Sequence, residues 1–449
     1  MTDKQHQKYE RPNIIFIFTD QQQAGMMSCA DNEYIHTPAM DSLAATGVRF
    51  EKAYCTNPVC LPARFSMMTG LMPSILNIRS NYVGWLDTVP EEITKHSMGW
   101  FFRNAGYDVG YGGKVHLPKG MNPQAMGFEY ITPNQRDGLA EACVEFILRE
   151  RDKPFLLVAS FINPHDICFM AIGDYQEIDE KRLSNEMRAL KTSLKLPEGV
   201  SQDEFFAKHC PPLPPNFEPQ DQEPEAIRML LEQRLFKKHA RETWPDEKWR
   251  MHRWAYCRLT EMVDAQIGRV LDAIRESGLE EKTVIVFSSD HGDMDSAHRM
   301  EHKTALYEEA ARVPLIVSYK GVTPAGLVND THLVSNGLDL IPTLCDYAAI
   351  EPPNGLTGES FRPLAEGKTP QSWRTHLFIE SEFGYMLRSE RYKYVLYDVG
   401  KNREQLIDLE NDPGEMKNLA TNPTYQDILR EHRECFQYHH QNMITNRIQ

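Results

Sequence analysis

Paired cysteines, long apolar runs and an excess of positive charge are all missing from this chain. Its nine cysteines, Cys29, Cys55, Cys60, Cys143, Cys168, Cys210, Cys257, Cys345 and Cys435, are scattered with no CxxC spacing, and the number is odd. That argues against a disulfide framework and a structural zinc site, and it fits a reducing compartment. No apolar run approaches the roughly 18 residues of a membrane-spanning helix. Met1–Glu10 is polar and lacks the apolar core of a secretory signal. A cytoplasmic protein is therefore expected, with a periplasmic or secreted one as the alternative had a signal been removed. Internal repeats and low-complexity segments are absent. The net charge of −15 disfavours nucleic acid as a partner, and no membrane partner is expected. Repulsion of a small anion is screened over about 10 Å. A local cluster of cations can still hold one anionic group, whereas a long polyanion is a less comfortable substrate.

What is present is a chain of 449 residues with 41% hydrophobic and 25% charged content. That length fits one large α/β domain plus a smaller unit. Strand-like runs at Asn13–Thr19, Val109–Tyr111, Phe155–Phe161, Thr283–Ser288 and Pro314–Tyr319 alternate with helical stretches at Met40–Ala45, Ser97–Ala105, Leu139–Arg149 and Met251–Ser277. Continuous rather than alternating apolar strands indicate burial on both faces. The expected fold is α/β, a large mostly parallel sheet sandwiched by helices. From about Trp373 short alternating strands at His376–Ser381, Tyr385–Arg388 and Tyr392–Tyr397 indicate a small antiparallel sheet. The division read is 1–370 for a catalytic domain and 371–449 for a C-terminal subdomain. An insertion at about 174–250 is interrupted by Pro211-Pro212-Leu213-Pro214-Pro215. That insertion reads equally as a solvated excursion and as a wall over an active-site rim.

Chemistry gathers at the strand ends. Asp20 and Gln21 follow the first strand, Lys114 and His116 the second, His165 the third, and Asp290 and His291 the fourth. Ligands of open α/β sheets bind at the carboxyl ends of the strands. A single Asp there is most simply a helix cap; four strands delivering reactive side chains to one edge point to an active site. Separately, Cys60 stands just before an expected helix, Pro62 suits its first turn, Arg64 lies one turn on, and Gly70 stops it. A sulfur nucleophile position is thereby set beside a permanent cation at a helix N-terminus.

The string Cys60-Leu61-Pro62-Ala63-Arg64, followed by Thr69-Gly70, resembles the signature of the type I sulfatases of the alkaline-phosphatase superfamily. Gly113-Lys114-Val115-His116 and Asn163-Pro164-His165 resemble further family strings. So does Lys303-Thr304-Ala305-Leu306-Tyr307-Glu308-Glu309 through Arg312-Val313-Pro314-Leu315. Ile407-Asp408-Leu409 with Asp412-Pro413-Gly414-Glu415 resembles a structural string of the C-terminal subdomain. The resemblance spans about Pro12 to Leu419. It implies a sulfatase in which a separate formylglycine-generating enzyme oxidises Cys60 to formylglycine. It also implies one divalent ion, Ca²⁺ first with Mn²⁺ or Mg²⁺ as alternatives, held by Asp20, Asp290, His291 and the modified Cys60. Gln21 stands where many relatives have a second Asp, and is taken as a further ligand through its amide oxygen.

The same resemblance assigns Arg64, Lys114 and Lys303 to charge on the sulfuryl group and the bridging oxygen. His165 becomes the acid for the leaving alcohol, and His116 the base that releases sulfate. Lys114 and His116, two apart, point the same way if the chain there is extended. The substrate expected is a small sulfated molecule, a carbohydrate sulfate monoester above others. Two alternatives stand beside it: a phosphonate monoester hydrolase or phosphodiesterase of the same superfamily, and a sulfated-glycan-binding protein without catalysis.

Overall fold

The computed structural model describes residues 11–82, 89–179, 181 and 183–445, with side chains described to residue 441. The stretch Met1–Glu10 lies outside them. Fourteen strands are present in these residues. In chain order they are β1 Asn13–Asp20, β2 Val48–Phe50, β3 Ala53–Tyr54, β4 Asp108–Gly113, β5 Glu129–Thr132, β6 Phe155–Pro164 and β7 Thr283–Ser289. They continue as β8 Leu315–Ser318, β9 Leu327–Asn329, β10 Val334–Ser335, β11 His376–Ser381, β12 Gly384–Ser389, β13 Tyr392–Tyr397 and β14 Glu404–Asp408.

Eight of them form one sheet in the order β5-β4-β6-β1-β7-β8-β2-β9. From β5 to β7 the pairing is parallel. β8 runs antiparallel to both β7 and β2. The expected strand at Pro314–Tyr319 is thus real, but it reverses the direction of the sheet. Strand composition does not encode direction; the course of the connection between β7 and β8, over residues 290–314, does.

Two cores follow from the alternation of the central strands. Ile14, Phe16 and Phe18 of β1 face one side with Leu156, Val158, Val284 and Val286, and the helix Cys60–Thr69 packs there. Ile15 and Ile17 face the other side with Leu157, Ala159, Ile285 and Phe287, covered by the long helix Asp246–Glu276. Register locks this in: Phe16 lies beside Val158 on one neighbour and Val286 on the other. Each such buried side chain contributes about 1.5–3 kcal/mol, and a slip by one residue would send every one of them to the opposite face.

The C-terminal part is an antiparallel sheet, β11-β12-β13-β14, packed by the helix Gln426–Thr445 through Leu429 and Phe436. No helix among the described residues is long and apolar enough to cross a membrane.

The central position of β1 decides where chemistry can occur. Asp20 at its end pairs in register with Pro164 of β6 on one side. On the other side the Asp290 amide donates to the Thr19 carbonyl at 3.1 Å. Three strand ends therefore meet around one carboxylate.

Candidate active site

The helix Cys60–Thr69 begins at Cys60 itself, with Val59 extended before it and Gly70 left-handed at φ 70° after it. Cys60 therefore lies within the first turn rather than before it. All ten residues are buried, which pins the sulfur against the sheet edge. Cys60 Sγ lies 3.1 Å from His291 Nε2, 3.0 Å from Lys303 Nζ and 3.7 Å from Asp20 Oδ1. Burial and the Asp20 charge oppose ionisation of the thiol. Lys303, Lys114 and His291 outweigh them and pull it well below the usual thiol range.

Arg64, one turn along, has four of its five N–H donors engaged. Its Nη2 donates to Asp20 Oδ2 at 2.8 Å and its Nε to Asp290 Oδ2 at 2.7 Å. Nη1 donates to the Lys114 carbonyl at 2.9 Å and to Ser160 Oγ at 2.8 Å. With only 1% exposure, this guanidinium is a clamp on two carboxylates. Four of its five N–H donors are taken by Asp20, Asp290, Lys114 and Ser160, which leaves one on Nη2 for the sulfuryl oxygens expected of it.

Lys114 Nζ also donates to Asp20 Oδ2, at 2.6 Å. Burial pushes the Asp20 carboxyl up, but Lys114, His165, Arg64 and Lys303 hold it well below the carboxylate range. Asp290 goes the other way, raised by its burial and by the Asp20 charge. His291 Nδ1 lies 2.8 Å from the Gly292 carbonyl. That contact assigns the proton to Nδ1 and turns Nε2 inward.

Ligand atoms of Asp20, Cys60, Asp290 and His291 all lie within 4.8 Å of one another, every one buried. Donors on opposite sides of a Ca²⁺ ion, at about 2.4 Å each, are separated by about that distance. Two carboxylates and a sulfur position beside them supply the negative charge a dication needs. The residues fit one divalent ion.

Gln21 joins the site through a relay of hydrogen bonds. Its Oε1 accepts from Lys303 Nζ at 2.7 Å and from Cys168 Sγ at 3.1 Å, while Nε2 donates to Asp293 Oδ2 at 2.6 Å. Both lone pairs of the amide oxygen are in use, so Gln21 orients Lys303. Asp293 thereby acquires a role as the anchor of Gln21. Tyr256 Oη donates to the Gln21 carbonyl at 2.5 Å. None of Asp293, Cys168, Tyr256 or Ser160 carries a local sequence signal, because each acts through a partner more than 80 residues away.

Lys303 is flanked by two left-handed residues, His302 at φ 65° and Thr304 at φ 94°. Burial would deprotonate it, but Cys60, Cys168 and Asp20 keep it charged. His165 follows β6, and its buried Nδ1 lacks a partner. Burial, Lys114 and Lys303 push its pKa well below the histidine range, so the free site holds neutral imidazole. His116 adopts φ 42°. The extended chain that would aim it alongside Lys114 is therefore absent, and its Nδ1 is buried without a partner.

Comparison with known proteins gives this geometry a lineage. A sequence model of the sulfatase family matches residues 12–350, and one of the C-terminal part of N-sulphoglucosamine sulphohydrolase matches residues 296–442. The chain is 31% identical to a Delta 4,5-hexuronate-2-O-sulfatase of Bacteroides thetaiotaomicron, over 95% of this chain and 88% of that one. The solved structure of a 2-O GAG sulfatase superposes with a TM-score of 0.83 at 28% identity, covering 97% of this chain and 93% of that one. A phosphonate monoester hydrolase of Agrobacterium radiobacter shares the fold, with a TM-score of 0.76 at 22% identity over 96% of each chain. The chain belongs to the sulfatase family, within the alkaline-phosphatase superfamily. It is a sulfuric ester hydrolase.

Proposed function

We propose that this protein hydrolyses the sulfate monoester of a small carbohydrate, with Cys60 converted to formylglycine and one divalent ion bound beside it. The observation that carries the reading is the convergence of Cys60 with Asp20, Asp290 and His291 within 4.8 Å, with Lys303 Nζ 3.0 Å from the sulfur. Similarity to a hexuronate sulfatase supports a sulfated sugar as the substrate.

Asp20, Asp290, His291 and the oxygen derived from Cys60 would hold the ion, with Ca²⁺ first and Mn²⁺ or Mg²⁺ as alternatives. It would supply Lewis-acid charge to the nucleophile and the sulfuryl group. A formylglycine at position 60 would supply, as its hydrate, the attacking oxygen. Arg64 holds Asp20 and Asp290 in the spacing that makes their oxygens converge. Lys114 and Lys303 bring positive charge to the edge where the sulfuryl group sits, preorganised by Asp20 and Gln21. Lys303 stands on the bridging-oxygen side. His165 is neutral in the free site, and an entering sulfate ester adds the negative charge that favours its imidazolium. It then donates a proton to the leaving alcohol. His116, with Nδ1 unpartnered, accepts a proton when sulfate is released.

The test is sulfate release from a panel of sulfated mono- and disaccharides by enzyme co-expressed with a formylglycine-generating enzyme. Mass spectrometry of the Cys60 peptide accompanies it. Turnover without conversion of Cys60 would refute the formylglycine route. The phosphonate reading is kept second because His291, and Gln21 in place of a second Asp, depart from the paired-carboxylate pattern. Faster turnover of a phenyl phosphonate ester than of a phenyl sulfate would put it first. The non-catalytic reading is set aside by membership of an enzyme family.

A further inference from the structure

Lys237 belongs to none of the family strings. It lies on the helix Leu235–Thr243, inside the expected insertion, yet its side chain reaches the centre. It is 4% exposed, and its Nζ donates to the Lys303 carbonyl at 2.8 Å. The charges acting most strongly on it, Arg234 and Lys303, are both cations. Arg234 is itself paired with Glu382 at 2.5 Å. Among the described residues Lys237 has no ion pair. A buried ammonium without an anion is costly, and packing alone would be served by an apolar side chain.

What Lys237 holds accounts for that cost. Lys303 sits between His302 and Thr304, both left-handed and neither glycine. Such backbone relaxes unless its surroundings over-determine it. Three hydrogen bonds fix this turn: the Met294 amide to the His302 carbonyl at 2.7 Å, the Thr304 amide to the Pro58 carbonyl at 3.0 Å, and Lys237 Nζ to the Lys303 carbonyl. Two are main-chain contacts on either side. The third is made by a side chain, to Lys303 itself. The contacts of Lys303 Nζ with Cys60 Sγ and Gln21 Oε1 depend on the direction in which this turn projects it.

We propose that Lys237 is a positioning residue that keeps Lys303 aimed at the Cys60 nucleophile, so that the insertion completes the active site rather than decorating it. This rests on the reading of Lys303 as the cation on the bridging-oxygen side.

The experiment uses mature enzyme and aryl sulfates of graded leaving-group basicity. Lys237→Met removes the donor and keeps the length; Lys237→Arg keeps a donor. Lys237→Met is expected to lower kcat by roughly 10- to 100-fold, the cost of a misplaced catalytic group, with KM little changed. The loss should grow as the leaving group becomes more basic. Lys237→Arg should recover most of the activity. Lys303→Ala should show the same steepened dependence, and the double variant should match Lys303→Ala within about twofold, because the two act through one group. Equal losses across all leaving groups, or losses that multiply in the double variant, would overturn the proposal. If Lys237→Met does not fold, Lys237→Gln, read by the same leaving-group slope, decides it. If Lys303→Ala itself leaves the slope unchanged, the reading of Lys303 fails, and the double variant separates that failure from this one: losses that do not multiply still show Lys237 acting through Lys303, and losses that multiply overturn the proposal.

Discussion

Two of the ionic networks buried among the described residues stand in contrast, and one of the two has the makings of an active site. At the joint between the main sheet and the C-terminal sheet, Lys393 is fully buried between Glu415 at 2.6 Å and Glu308 at 3.4 Å. Tyr54 Oη donates to Glu308 Oε2 at 2.7 Å, and the Glu308 amide to Glu415 Oε2 at 2.7 Å. Charges there answer one another and the network closes on itself. At the sheet edge, Arg64 and Lys114 take the Oδ2 atoms of the carboxylates. Four further ligand atoms, one of them a sulfur, turn toward one point. Burial of charge is common to both. Convergence of donor atoms beyond what the protein's own cations consume is what distinguishes the site.

Breaking each network in turn tests that distinction. Cys60→Ala should abolish turnover while the melting temperature stays near that of the parent, since a single buried methyl-sized change leaves the helix intact. Lys393→Met should do the reverse. It leaves Glu308 and Glu415 buried together, at a cost of about 3–5 kcal/mol, while kcat per folded molecule is unchanged. Denaturant melts and active-site titration measure the two quantities. A fall in kcat for Lys393→Met without a fall in stability would erase the contrast drawn here.

A finer cut separates clamp from contact. Arg64→Lys replaces a planar fork by a point charge that cannot serve Asp20 and Asp290 together. Because two of the Arg64 donors hold these carboxylates, the loss should appear as metal affinity lowered by about 10–100-fold. KM for the sulfate ester at saturating metal should be nearly unchanged. Metal titration followed by steady-state kinetics reads both. Unchanged metal affinity with a raised KM would place the role of Arg64 on the sulfuryl oxygens.

Much of the frame is legible in the residues. β1, β6 and β7 are continuous apolar runs buried on both faces, and a polar residue that breaks such a run marks its carboxyl end. Asp20, His165 and Asp290 are found that way. Three of the four C-terminal strands are found where expected, although they are buried nearly throughout rather than on alternate residues. β14 hides because Glu404–Asp408 runs into the turn after it. β2, β5 and β9 hide because strands of three or four residues carry too little pattern. The direction of β8 is set by its connection, not its composition.

In the site, residue types are readable but pairings are not. Nothing near Arg64 says that it faces two carboxylates. Nothing near Gln21 says that Lys303 and Cys168 take its oxygen. The left-handed backbone at His116 is invisible beside a lysine two residues earlier. Lys237 is no more legible: its partner lies 66 residues away, and its own surroundings read as an ordinary amphipathic helix.

The smallest effect expected concerns Lys237 and pH. Its burial, then Arg234 and Lys303, lower its pKa to about 7, whereas an unfolded lysine titrates at about 10.4. Below pH 7 both states carry the proton and the folded protein bears the full penalty of the buried charge. Between about 7 and 10 the unfolded chain binds more protons than the folded one, so stability rises with pH across that window. Other groups titrate there too, and the quantity to follow is therefore the difference between parent and Lys237→Met. It should climb in the parent's favour from pH 7 to about 10 and then level, by on the order of 2 kcal/mol, about half of what the full shift would give. Urea melts of both proteins across the window measure it. A flat difference would mean that Lys237 stays protonated throughout, its charge held by Cys168 and Asp293, which act on it against Arg234 and Lys303.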